Sequence, residues 1–312
     1  MDKNFRFGVV GESIRSGADL TRTARRAEEL GYHVLVLRDH FVTEPFGDQL
    51  APMVALACAA SATSTLRLGT MVLANDYRHP VMLAKEAATL DHLSGGRFEL
   101  GVGAGWLRAE YEAAGMPFDA AGTRVGRLEE SLQILRSLLD GRRTAFAGEH
   151  YRIGGLTAFP PPGRRPPLVV GAGSGRMLGI AGRHADTVGV LPRALPEGAI
   201  SEELTERLPD TIARKVGLVR EAAGDRDVEL SMIVAPTFDP DPRRAAARVA
   251  AVRGWGASAA ELVLEMPSQF VGPPEHIAEQ MLARRERFGF TYYQVSDEVM
   301  EEFAAVIPLL AG

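Results

Sequence analysis

Short, nearly continuous apolar runs rich in Val, Leu and Phe recur along this chain, and each is followed by a longer segment whose apolar positions keep helical spacing. Runs without polar alternation are what strands of a parallel sheet look like when both faces are covered. The strand-like runs are FRFGVV from Phe5, VLVLR from Val34, LRLGTMVLA from Leu66, RFELGVGAG from Arg97, Leu168–Val170, Thr187–Leu191, VELSMIV from Val228 and FTYYQV from Phe290. Between them the spacing predicts helices over Asp19–Gly31, Ala51–Thr63, Pro80–Leu93, Thr123–Leu139, from Arg176 onward, and over Ser201–Ala223. Further helices are predicted over Pro242–Trp255, Ala259–Met266, Pro274–Phe288 and Glu298–Leu310.

Strands alternating with helices in this number and order predict an α/β protein, a (β/α)8 TIM barrel forming a single domain over residues 1–312. An open doubly wound sheet is the alternative. Small insertions are expected after strand four, where Gly141–Pro167 reads as a hairpin, and after strand six, where a proline-bearing loop precedes the next helix.

Composition narrows the class. With 46% hydrophobic residues, 24% charged residues and a net charge of −5, the chain has the profile of a soluble globular protein, and the acidic balance argues against nucleic-acid or anionic-membrane partners. Cys58 is the single cysteine, so no disulfide framework or thiolate metal site is expected, and the thiol is expected to be buried. No run approaches the length of a bilayer span and no apolar signal region precedes the first strand, so a cytoplasmic address is expected.

Candidate chemistry lies where strands end, since barrel active sites form at the C-terminal ends of the strands. Asp39, His40 and Phe41 follow strand two; Ala74, Asn75, Asp76 and Tyr77 follow strand three; Gly103, Ala104, Gly105 and Trp106 close strand four. Strand five breaks into Gly171, Ala172, Gly173, Ser174 and Gly175 before Arg176, a strand–turn–helix pattern whose exposed N–H groups attract a phosphate. That turn lacks the third glycine of the dinucleotide fingerprint and the lysine of a nucleoside-triphosphate loop, and taken alone it is equally a packing feature. His40, next to Asp39, is the histidine placed to move a proton, unless it only caps the loop or packs on Phe41. No histidine pair has metal-ligand spacing and no nucleophile elbow is present, so a bound cofactor is expected to carry the reaction.

The segments AEELGYHVLVLRDHF, LRLGTMVLANDYRHPVMLAKEAATLDHLSGGRFELGVGAGW, the glycine turn with its trailing GRHAD, and FVGPPEHIAEQMLARRERFG resemble the luciferase-like monooxygenase superfamily, and within it the oxidoreductases that use the deazaflavin coenzyme F420. The resemblance implies a hydride transfer between coenzyme F420 and a small organic substrate. The alternatives are an FMN-dependent two-component monooxygenase using reduced flavin and O2, and a flavin-binding relative without catalysis.

It also implies a non-proline cis peptide at Met71-Val72 behind the cofactor ring, ring contacts from Ala74, Asn75 and Gly103 to Gly105, and a phosphate grip from Gly173, Ser174, Gly175 and Arg176. Asp39 and His40 are implied as catalytic residues. Phe46, Trp106, Glu110 and Arg193 are the candidate substrate contacts, a homodimer is expected, and a flavin or F420 reductase is a candidate partner. Deazaflavin sugar-phosphate dehydrogenases carry a glutamate directly after the strand-four turn, where this chain has Trp106, with Glu110 and Glu112 further along the loop. That departure implies a missing acid beside His40 and a less polar substrate.

Overall fold

The computed structural model describes residues 4–161 and 163–310. In the first half of the chain β1 (Arg6–Val10), α1 (Gly17–Glu29), β2 (Val34–Leu37), α2 (Pro52–Ala62), β3 (Arg67–Thr70), β4 (Leu73–Ala74), α3 (Pro80–Leu93) and β5 (Phe98–Gly103) follow one another. Then come α4 (Arg108–Ala113), α5 (Ala121–Leu139), the hairpin strands β6 (Thr144–Ala147) and β7 (Arg152–Leu156), β8 (Leu168–Ala172), α6 (Gly175–His184), β9 (Thr187–Val190) and α7 (Pro209–Ala223). The last part holds β10 (Glu229–Ile233), β11 (Ala235–Thr237), α8 (Pro242–Val252), α9 (Ala260–Glu265), β12 (Gln269–Val271), α10 (Pro274–Phe288), β13 (Phe290–Ser296), α11 (Met300–Phe303) and α12 (Ile307–Leu310).

The main sheet runs β3-β2-β1-β13-β10-β9-β8-β5, and β3 also pairs with β5, so the parallel strands close on themselves. The eight strands read from the sequence are the eight of this (β/α)8 barrel. Along β2 the side chains alternate: Leu35 and Leu37 pack into the layer between sheet and helices, while Val34 and Val36 join Val10 and Tyr292 in a separate inner cluster. The N-terminal end of the interior is polar, with Arg6 bridging Glu99 and Glu229 and Arg67 joining Glu99. Two arginines against two carboxylates leave that end neutral.

Several sequence expectations are corrected. The helix expected over Ser201–Ala223 begins only at Pro209, because a proline pushes the residue before it out of the helical region and Leu208 lies at ψ 150. The helix expected over Glu298–Leu310 breaks into α11 and α12, with Pro308 in the first turn of the second. The hairpin in Gly141–Pro167 is present as antiparallel β6–β7. A third excursion was not expected: β11 and β12 pair in parallel outside the barrel, and α8 and α9 between them cover a small core of their own around Ala246, Val263 and Met266. Cys58 is exposed rather than buried, since α2 turns Ala55, Leu56, Ala59 and Ala60 inward and leaves Cys58 beside Val54 on the outer face. Among the described residues no helix is long and apolar enough to cross a membrane.

Candidate active site

Because β3 pairs with both β2 and β5, the exits of these strands are neighbours, and the residues that follow them meet. Strand three is interrupted between β3 and β4 by a cis peptide at Met71-Val72, the position the resemblance implies. Val72 then stands over the glycines of the adjoining strands. A Cβ on Gly103 would lie 2.7 Å from its Cγ2, and one on Gly171 3.6 Å. Met71 packs against the inner cluster of Val10, Val34, Val36 and Tyr292.

His40 is half-enclosed at the exit of β2. Its partner is not the adjacent Asp39 but Glu110, on the first turn of α4, with Nδ1 3.0 Å from Glu110 Oε2. Tyr77 donates its hydroxyl to the same oxygen at 3.0 Å, and the Phe41 N–H donates to Oε1. Burial pushes the Glu110 carboxyl up, but the His40 hydrogen bond and charge, with Phe41 and Tyr77, outweigh it and hold the group below its ordinary value. Burial and Glu110 together push the Tyr77 hydroxyl well up, so Tyr77 remains a donor.

This corrects two expectations. Asp39 was expected to act in catalysis with His40, yet its carboxylate is held by Arg78 at 2.6 and 3.0 Å and by the Ala74 N–H at 3.2 Å. Asp39 pins the β4 exit to the β2 exit. Glu110 was placed out along the loop, away from His40, but the turn at Gly105 doubles back: its φ is +74, and a Cβ there would fall 2.0 Å from the Tyr111 hydroxyl. That contact draws α4 over the mouth and delivers Glu110 to His40. Glu112 is turned outward, toward Arg108 at 3.9 Å.

Two aromatic rings also flank His40. Phe46 lies 4.9 Å from the imidazole centroid and Trp106 5.9 Å, and the two rings meet edge to face at 6.3 Å. With Nδ1 committed to Glu110, Nε2 is the nitrogen left to exchange a proton with a substrate. Arg193, expected to meet substrate, is taken up within its own loop by Glu203 at 3.1 Å and Glu206 at 3.4 Å.

A cofactor running from the β4 exit to the glycine turn fits the groups present. The Asn75 side chain is buried, and while Nδ2 donates to the Tyr151 hydroxyl at 3.1 Å, Oδ1 has no partner. A buried, unsatisfied carbonyl oxygen costs stability unless a ligand donor meets it. Ala104 lies partly exposed between Gly103 and Gly105. At the far end Ser174 caps α6 through Met177 N, and Ser174, Gly175 and Arg176 are exposed, which leaves the first-turn N–H groups open to an anion. Gly173 has a different reason to be glycine, because a Cβ there would lie 2.3 Å from Pro192 O. Its role is packing of the loop after β9 against the turn. Arg176 donates to Gly122 O at 3.0 Å, which ties the start of α5 to the same corner. Among the described residues no group of three or more His, Cys, Asp or Glu could hold a metal.

Against known families, residues 5–292 match the model of the luciferase-like monooxygenase domain. The chain belongs to the luciferase-like monooxygenase family. An uncharacterised protein, y4wF, of Sinorhizobium fredii is 34% identical over 152 residues, 49% of this chain and 43% of that protein. The F420-dependent glucose-6-phosphate dehydrogenase of Kineococcus radiotolerans is 32% identical over 225 residues, 71% of this chain and 64% of that enzyme. Each alignment thus spans less than two thirds of the relative's own length. The coenzyme F420-dependent tetrahydromethanopterin reductase of Methanopyrus kandleri superposes with a TM-score of 0.76 at 20% identity, covering 99% of this chain and 100% of that one, which shows the shared luciferase-like fold.

The sequence placed the strand exits correctly and missed three contributors: Tyr77 as a donor to Glu110, Arg78 as the partner of Asp39, and Tyr111 as the residue that folds α4 back. The only signal for α4 was the run RAEYEA, and six residues are too few to show a helical period.

Proposed function

We propose that this chain is an oxidoreductase that moves a hydride between coenzyme F420 and a small organic substrate, with His40 exchanging the substrate proton. The observation that carries the reading is the buried Glu110 carboxylate on His40 Nδ1 at 3.0 Å, together with the unpartnered Asn75 Oδ1 and the exposed N-terminus of α6. Oxidised deazaflavin, when bound, accepts one hydride from a substrate carbon, and its reduced form returns it. In the oxidising direction the carbinol C–H would leave as hydride to the bound deazaflavin and the O–H proton would go to His40 Nε2, so two electrons and two protons, one of them within the hydride, leave the substrate and a carbonyl forms. Glu110 fixes the tautomer that leaves Nε2 able to accept, and stabilises the imidazolium that results. Asn75, Ala74, Met71, Val72 and Gly103 to Gly105 would border the ring, and Ser174, Gly175 and Arg176 would hold the phosphate.

The relatives' names support the deazaflavin over FMN. As part of the same reading the chain acts as one barrel unit in the cytoplasm, with a reductase regenerating its cofactor, and as a homodimer. Val54 and Met82, 69% and 55% exposed on the outer faces of α2 and α3, support contact with a second copy. Dissociation constants for oxidised and reduced coenzyme F420 and for FMN test the proposal. Clear preference for F420 is expected, and clear preference for FMN would overturn it.

A further inference from the structure

We infer that the substrate is an uncharged molecule with an apolar body, and that the site discriminates against phosphate- or carboxylate-bearing substrates. The inference rests on the oxidoreductase reading and names its substrate class.

Four cations around the mouth are already paired with carboxylates. Arg38, at the exit of β2, is paired with Glu12 from the exit of β1 and lies 4.1 Å over the Phe46 ring. Arg78 is paired with Asp39 at 2.6 Å. Arg193 is paired with Glu203 and Glu206. Lys215, its side chain 2% exposed, is held by Glu206 at 2.7 Å and by Leu191 O at 2.7 Å. These four cations meet four carboxylates, and Glu110 adds a fifth negative charge directly behind His40.

An anion brought to His40 would therefore lose its hydration without gaining any of these four cations unshared, and would stand near an ionised Glu110. Burying an unpaired charge is among the most costly events available to a binding site. The rings of Phe46 and Trp106 also face His40, and they reward burial of an apolar body. The Arg38 guanidinium contributes on that side as well, since it stacks on Phe46 and is paired with Glu12. Arg15 is exposed beside the same loop and donates to the carbonyls of Glu12 and Asp48, so it is the residue an anionic substrate would have to recruit.

The test separates pocket from reaction. In a Trp255→Phe background Trp106 is the sole tryptophan, because the chain holds two. Its fluorescence is titrated with acetophenone and with 4-acetylbenzoate, a matched neutral and anionic pair, in full-length protein with and without oxidised F420. Tenfold or tighter binding of acetophenone is expected, and Glu12→Gln, which frees the Arg38 charge, is expected to narrow that ratio severalfold. Equal or tighter binding of 4-acetylbenzoate, or binding of neither, overturns the inference. Loss of the anion's binding in Arg15→Ala would then identify its anchor. F420-linked turnover of 1-phenylethanol is measured separately, so a protein that binds acetophenone selectively but fails to reduce F420 would refute the oxidoreductase reading and leave the charge preference standing.

Discussion

Glu110 Oε2 lies 3.0 Å from His40 Nδ1 although the two residues are 70 positions apart. The Glu110 side chain is 2% exposed and that of His40 12%, so the pair is sheltered on one side and open on the other. Replacing Glu110 with Gln keeps the size but removes the carboxylate that accepts from His40 Nδ1. The expected result is a kcat lower by about 10²-fold or more, within the range for a positioned acid–base group, with cofactor affinity nearly unchanged. Unaltered kcat would show that His40 works without Glu110.

The same carboxyl predicts a pH dependence of stability. Its folded-state value lies below its ordinary 4.5, so its contribution is present above 4.5 and is lost as pH falls through the lowered folded-state value. Urea unfolding of wild type and Glu110→Gln should differ at neutral pH, and the difference should shrink on acidification below the ordinary value of 4.5. A gap that widens in acid would mean that the folded state does not favour the carboxylate.

Gly105→Ala should destabilise the fold. The position has φ +74, and an added Cβ would fall 2.0 Å from the Tyr111 hydroxyl, so α4 must shift. A loss of roughly 2 kcal/mol or more is expected in denaturant unfolding, together with a fall in kcat as Glu110 leaves His40. Wild-type stability in this variant would remove Gly105 as the reason for the turn.

Arg176→Ala tests the phosphate end. Loss of one charge-assisted contact at the start of α6 should raise the cofactor dissociation constant about tenfold and flatten its salt dependence. The unfolding midpoint should move little, because the side chain is exposed. An unchanged dissociation constant would place the anion elsewhere.

Lys215→Met breaks a buried pair and leaves Glu206 without its ammonium partner. Removing one member of such a pair costs about 3–5 kcal/mol. Loosening of the loop after β9 should accompany the loss, since Lys215 also holds Leu191 O and Glu206 also accepts from the Arg193 N–H. Hydrogen exchange across residues 191–207 would register it, and unchanged protection there would confine Lys215 to α7.

What the sequence determined by itself was the order of elements and the place of the chemistry. Apolar runs report burial on both faces of a parallel strand, and that is a local property, so β1, β2, β5 and β13 were legible from a few residues each. The strand exits followed from the barrel, and Asp39, His40, Asn75 and Ser174 with them. The break at Met71-Val72 was legible only through family likeness. Tertiary structure alone decided the pairings. Asp39 is next to His40 in sequence, yet successive residues of an extended chain point to opposite sides, and Asp39 turns to Arg78. Glu110 reaches His40 because barrel closure sets the exit of β5 near that of β2, and because the Gly105 turn against Tyr111 folds α4 inward. Neither closure nor that turn leaves a periodic trace in the residues concerned, and so the carboxylate that serves His40 was visible only once the chain was folded.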